Sequence, residues 1–143
     1  MQAENCGIDQ NLFNYLVESI SHTPYYKLLG IEIIKIGRGK AELAVCANQN
    51  HTNPLGAIHG GLIMSLADAA MGNAIRSLGI KGVTVDCSTA FISGALLGEL
   101  VVGKGSVLKA GKNMIFAEAK VFAGEQLIAS CKGTFFKTGD MKF

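Results

Sequence analysis

Tryptophan is absent from the sequence, proline occurs twice, and charged residues make up only 17% of its 143 positions. So little charge beside an apolar fraction of 49% excludes the composition of a disordered chain. One domain of this length buries a core without disulfides or metals. A surface this short of charge also leaves room for apolar area hidden between subunits. The net charge of +2 is too small for a nucleic-acid-binding domain. No C-x-x-C pair occurs: Cys6, Cys46, Cys87 and Cys131 stand far apart, which argues against a zinc site or disulfide framework and for reduced thiols in a cytoplasmic protein. His22, His51 and His59 lack metal-ligand spacing. Met1-Gln2-Ala3-Glu4-Asn5 has no basic, then apolar, start of a secretory signal. The most apolar stretch, Leu62 to Leu78, is interrupted by Asp68, Asn73 and Arg76 and does not span a membrane.

What is present is a series of periodic segments. Asn11 to Ser21 carries Leu12, Tyr15, Leu16 and Ile20 at helical spacing, and this helix, about residues 9–22, ends at Thr23-Pro24. Ile31 to Ile36 and Ala41 to Cys46 read as strands joined by a hairpin turn at Gly37-Arg38-Gly39. The polar loop Asn48 to His59 leads into a helix over about residues 60–78, apolar nearly all round and closed by Gly79 and Gly82. Then Val83, Val85, Cys87, Thr89 and Phe91 alternate with Thr84, Asp86, Ser88 and Ala90, as the two faces of a strand do. Three strands follow, Glu99 to Lys109, Ile115 to Phe122 and Leu127 to Phe136, with turns around Gly111 and Gly124. Consecutive strands favour an α+β fold with an antiparallel sheet whose apolar face is covered by the apolar helix. No linker or repeat divides the chain, so a single domain over residues 1–143 is expected.

Asp68 has the strongest claim to chemistry. It sits among Leu62, Ile63, Met64, Leu66, Ala67, Ala69, Ala70 and Met71, where a carboxylate is expensive to bury unless paired or used. Desolvation there would keep it available as a general base near neutral pH; a structural aspartate is the alternative. His59-Gly60-Gly61 opens the same helix. Free N–H groups bared by glycine at a helix N-terminus can stabilise an oxyanion, although a glycine turn capped by histidine has the same sequence. Gly60 and Asp68 lie roughly 12 Å apart along a helix rising about 1.5 Å per residue. That is too far for one small reacting centre, but a symmetric dimer can bring Gly60 of one subunit to Asp68 of the other. Asn53 before Pro54 is a turn-former or a group that orients a water or carbonyl. Thr84 is a strand-former or a hydroxyl for that water. Lys104, Lys109 and Lys112 are either ordinary solvated residues or a basic surface for a phosphorylated small molecule. Gly98 to Lys104 spells G-x-x-x-x-G-K, but Gly105 stands where a phosphate loop needs Ser or Thr.

The run His51-Thr52-Asn53-Pro54-Leu55-Gly56-Ala57-Ile58-His59-Gly60-Gly61, followed by Leu66-Ala67-Asp68, resembles the PaaI-like (phenylacetic-acid-degradation) thioesterase family, with its N-x-x-G-x-x-H-G-G and later L-A-D. Gly82-Val83-Thr84-Val85-Asp86, Phe91-Ile92 and Gly124 to Ala129 extend the likeness. The resemblance implies a hotdog fold, a curved antiparallel sheet wrapped around a long helix. It implies homodimers with sites at the interface, usually paired into tetramers, and hydrolysis of acyl-CoA with neither metal nor organic cofactor. It makes Asp68 the general base or nucleophile and gives the Gly60 N–H the thioester carbonyl. Asn53 then helps place the carbonyl or water, His59 assists the departing thiolate, and Thr84 holds the water. Gly61, Leu62, Met64, Phe91 and Ile92 would line the substrate, with core packing the alternative for the apolar four, and Lys104, Lys109 or Lys112 would meet CoA phosphates. Relatives often carry a proline after the strand ending at Phe91, near the CoA entrance; this chain has Ile92-Ser93-Gly94-Ala95-Leu96-Leu97 there. The competing readings are a non-catalytic acyl-CoA-binding module and a dehydratase or hydratase pairing His59 with Asp68.

Overall fold

In a computed structural model, described for residues 2–143, the chain forms one seven-stranded sheet and three α-helices. Met1 lies outside the described residues. After a short strand β1 (Glu4–Cys6), Asp9 caps α1 (Gln10–His22) by accepting the N–H groups of Asn11 and Leu12. α1 buries Leu12, Phe13, Leu16 and Ile20, while Tyr15, expected on that face, is exposed. Thr23-Pro24 ends α1 as expected, with Thr23 as its C-cap, and Pro24 also opens a second helix, α2 (Pro24–Leu29), where its missing N–H needs no partner. β2 (Glu32–Gly37) and β3 (Lys40–Cys46) form the expected hairpin. A 3-10 turn (Gln49–His51), α3 (Gly60–Arg76), β4 (Ile80–Phe91), β5 (Leu100–Ala110), β6 (Met114–Ala123) and β7 (Gln126–Asp140) follow.

The strand order is β1-β2-β3-β5-β6-β7-β4, antiparallel except for β1 on β2. α3 packs against β2 through β7, so the sheet curls about it, which is the hotdog arrangement. The helix comes close because the sheet lacks side chains beneath it. A Cβ at Gly105 would overlap the Ala70 backbone, one at Gly103 would stand 2.9 Å from Leu66, and one at Gly133 would stand 3.0 Å from Met71.

Two expectations need correction. α3 ends at Arg76, because Ser77 caps it and Gly79 turns the chain at φ +75°; Gly82 lies inside β4. A bulge between Thr84 and Asp86 shifts the β4 register. Thr84 pairs with the buried Phe135 and Cys87 with the buried Gly133, so both face α3, whereas Val83 pairs with the exposed Phe136 on the outer face. Val83 therefore does not share a face with Cys87, Thr89 and Phe91, because the unpaired Val85 is one extra residue in the strand and inverts the alternation.

Candidate active site

The loop before α3 is braced by its own side chains. The Asn48 N–H donates to His51 Nδ1 at 3.0 Å, so the ring proton sits on Nε2 and is donated to the Leu29 carbonyl at 2.8 Å. Buried His51 thus pins the loop to the end of α2, and its own carbonyl accepts the His59 N–H at 2.7 Å. Asn53 Oδ1 accepts the N–H groups of Leu55 and Ala57 at 2.9 and 3.0 Å, which closes the turn. This bracing delivers His59 to the N-cap of α3, where its Nδ1 accepts the Gly61 N–H at 2.7 Å. A neutral His59 ring therefore presents Nε2–H outward. The Gly60 N–H has no partner among the described residues and sits at the positive end of the helix dipole. A Cβ at Gly60 would stand 3.2 Å from the Phe91 ring, so glycine here lets β4 lie against the helix start.

Asp68 lies two turns along α3, in line with Gly60 and Met64. Its Oδ1 accepts the Thr84 hydroxyl at 2.7 Å, a contact the bulge creates by turning Thr84 inward. The carboxylate is half-buried rather than buried, because β4 is an edge strand and leaves its far side open. Beyond Thr84, the Cys87 and Cys131 sulfurs are 3.0 Å apart, and Thr89 donates to Cys131 at 3.2 Å. Cysteines far apart in sequence thus meet across β4 and β7. Burial, then the Cys131 thiol, push the Cys87 thiol up to about 12, with the Asp68 charge acting the same way, so Cys87 is protonated at neutral pH. On the other side, burial raises the Tyr26 phenol despite a hydrogen bond from Asn73, and Asp68 adds to the rise. Asn73 also accepts from Arg76, which reaches Ser19, so the polar interruptions of the apolar helix bind it to α1 and α2.

Two cavities open along the loop that leads into α3. One of about 240 Å³ is lined by Tyr25, Thr52, His59, Gly61, Leu62 and Ser65. The other, about 510 Å³, lies between Leu55 to Ile58 and Ala95 to Leu97. Met64, Phe91 and Ile92 are exposed toward the open side, whereas Leu66 and Met71 are wholly core. The lysines lie elsewhere. Lys104 points to the outer face, between Gly103 and Gly105, with its Nζ 5.1 Å from the Phe122 ring centre. Lys109 pairs with exposed Phe116, Lys112 sits in the β5–β6 turn, and none of the three lines either of these cavities. Among the described residues, no group of three His, Cys, Asp or Glu side chains is placed to hold a metal, and no helix is long and apolar enough to cross a membrane.

A braced helix N-terminus with a free N–H thus stands two turns from a hydroxyl-held carboxylate on the central helix of a hotdog protein. A family model described as the thioesterase superfamily matches residues 55–130, and the chain belongs to that superfamily. Human acyl-coenzyme A thioesterase 13 is 35% identical over 95 residues, 64% of this chain and 68% of that protein. The acyl-coenzyme A thioesterase PaaI of Escherichia coli is 31% identical over 86 residues, 60% of this chain and 61% of that protein. Its structure superposes with a TM-score of 0.87 at 22% identity, covering 94% of this chain and 99% of that one. A hypothetical thioesterase from Streptococcus pneumoniae, solved with coenzyme A, gives a TM-score of 0.75 at 25% identity, covering 78% and 91%. The chain is thus a hotdog member of the thioesterase superfamily, and PaaI shares its fold.

Proposed function

We propose that the chain hydrolyses an acyl-CoA thioester to the free acid and CoA, at a site shared by two copies. The observation that carries this reading is one line along α3, with a free N–H at Gly60 and a hydroxyl-held carboxylate at Asp68, both opening at the β4 edge. They are roughly 12 Å apart. Two copies joined antiparallel along β4 carry Asp68 of one to Gly60 of the other when Thr84 of one lies near Phe91 of the other. The thioester carbonyl accepts the Gly60 N–H, and Thr84 with the Asn53 amide holds a water. Asp68 takes the water's proton as its oxygen bonds to the carbonyl carbon. The oxyanion then collapses, the C–S bond breaks, the His59 Nε2–H donates a hydrogen bond to the departing thiolate, and the thiolate takes up the proton that Asp68 received. In the variant route, Asp68 attacks directly and water cleaves the resulting anhydride. A dehydratase would need His59 as a base, yet its Nδ1 is engaged by Gly61 and its Nε2 carries the proton. The functional unit is a homodimer that pairs into a tetramer; four free thiols accord with a cytoplasmic setting.

Release of CoA thiol from aryl-CoA and short- to long-chain acyl-CoAs tests this. Asp68→Ala is expected to lower turnover by about 10²- to 10⁴-fold with an unchanged melting curve. Full turnover in the variant, or no thiol release by folded wild type on any substrate, overturns the proposal.

A further inference from the structure

We infer that His51 is a positioning residue that aims the Gly60 N–H, and that only its neutral ring does so; this rests on the hydrolytic reading above. Three short hydrogen bonds run in series from the end of α2 to the first turn of α3. The His51 Nε2–H donates to the Leu29 carbonyl at 2.8 Å, the His51 carbonyl accepts the His59 N–H at 2.7 Å, and His59 Nδ1 accepts the Gly61 N–H at 2.7 Å. The Gly60 N–H lies between the last two of these, so the direction in which it points follows His51. The Leu29 carbonyl belongs to the last residue of α2, one of the groups that a helix end leaves without an intrahelical partner. The ring is 6% exposed and both its nitrogens are in use, because Nδ1 accepts the Asn48 N–H at 3.0 Å.

A proton added to this ring reverses one of its bonds. Both nitrogens of an imidazolium are donors. Nδ1–H would then face the Asn48 N–H, donor against donor at 3.0 Å, and a buried charge would lack a carboxylate to pair with. The ring escapes by swinging out to water, which frees the loop and, through the His51 carbonyl, the start of α3. Among the described residues, the other titratable groups around the cavity that His51 lines are Tyr25 and His59, and no carboxylate lines it. The Tyr25 hydroxyl lies 2.6 Å from that of Ser65, His59 caps α3, and α2 carries the cation Lys27. The His51 ring is spent on Asn48 and Leu29, so its effect reaches the reacting carbonyl only through Gly60.

The test uses two analogues of hexanoyl-CoA that cannot be hydrolysed: the ketone in which a methylene replaces the thioester sulfur, and the S-hexyl thioether, which has no carbonyl. Their affinities are measured by calorimetry in Asp68→Ala, so that the catalytic carboxylate has no part in any pH dependence. At about pH 8 the ketone is expected to bind about tenfold tighter than the thioether, the scale of one hydrogen bond. At about pH 5, beyond the span in which histidines take up a proton, the ratio should fall to about one. Adding His51→Phe should give about one at both pH values. Adding His51→Asn keeps an oxygen where Nδ1 stood, to accept the Asn48 N–H, and removes the titration, so the ratio should stay near tenfold at both. No ketone preference with His51 intact, a preference kept in folded His51→Phe, or a fall with pH kept in His51→Asn, where His59 still titrates, overturns the inference. A preference that follows His51 without thiol release from any acyl-CoA by the protein with Asp68 intact would support it while sinking the hydrolytic reading; thiol release with a preference indifferent to His51 would do the reverse.

Discussion

The two edges of the sheet are built differently. β1 is three residues long, runs parallel to β2, and lies close enough that a Cβ on Gly37 would stand 3.2 Å from the Cys6 Cβ. β4 runs for 12 residues with Val83, Val85 and Phe91 at 53%, 59% and 53% exposure. A short edge offers little to a passing strand, whereas a long edge with apolar side chains is one that natural proteins cover. Thr84, Phe91 and, through them, Asp68 and Gly60 all stand at the edge that needs covering. The difference between the edges thus separates a terminus of the fold from the surface at which the proposed dimer would form.

That contrast can be broken most severely by placing one lysine on each edge. Val85→Lys is expected to halve the mass seen by light scattering and to lower turnover at least a hundredfold, although it touches neither Asp68 nor Gly60. Glu4→Lys on β1 should change neither quantity. Equal effects at the two edges would remove the distinction. Gly105→Ala sharpens it from the middle of the sheet, where the new methyl would overlap Ala70. It should destabilise the fold by about 1–3 kcal/mol in urea titrations while the oligomeric state at low urea stays the same. The smallest effect separates the cysteines of the two edges. Exposed Cys6 on β1 should alkylate readily with iodoacetamide at pH 8. Cys87 on β4, pushed up to about 12, keeps its proton there, with roughly one thiol in ten thousand ionised, and should remain unlabelled by mass spectrometry until far higher pH.

What could be read from the sequence was local. The loop from Asn53 to Gly61 and the start of α3 declare themselves by glycines, a cap and an apolar run, and the Gly60-to-Asp68 spacing is legible as too long for one small reacting centre. The parity of β4 was hidden because an alternation of Val83, Val85, Cys87, Thr89 and Phe91 does not reveal that Val85 sits in a bulge. α2 was hidden because Pro24 both stops one helix and starts the next. β1 is too short to show a period. The Tyr25–Ser65 and Cys87–Cys131 pairs depend on contacts 40 and 44 residues apart, which no local pattern carries. The face that Lys104 occupies was hidden because charge in a sequence has no side; the sheet turns it outward, over the Phe122 ring.

The shared site is tested most directly by co-expressing Asp68→Ala with Gly60→Pro. Proline at the first helical position removes the N–H while keeping a helical backbone, and its Cβ, 3.2 Å from the Phe91 ring, requires that exposed ring to shift by a few tenths of an ångström. Each variant alone is expected to be nearly inactive. With random pairing, half the dimers are mixed, and each mixed dimer holds one site with both the N–H and the carboxylate, so about a quarter of the wild-type rate should return. Mixed dimers, verified by mass, that show no more activity than either parent would contradict a site built from two copies.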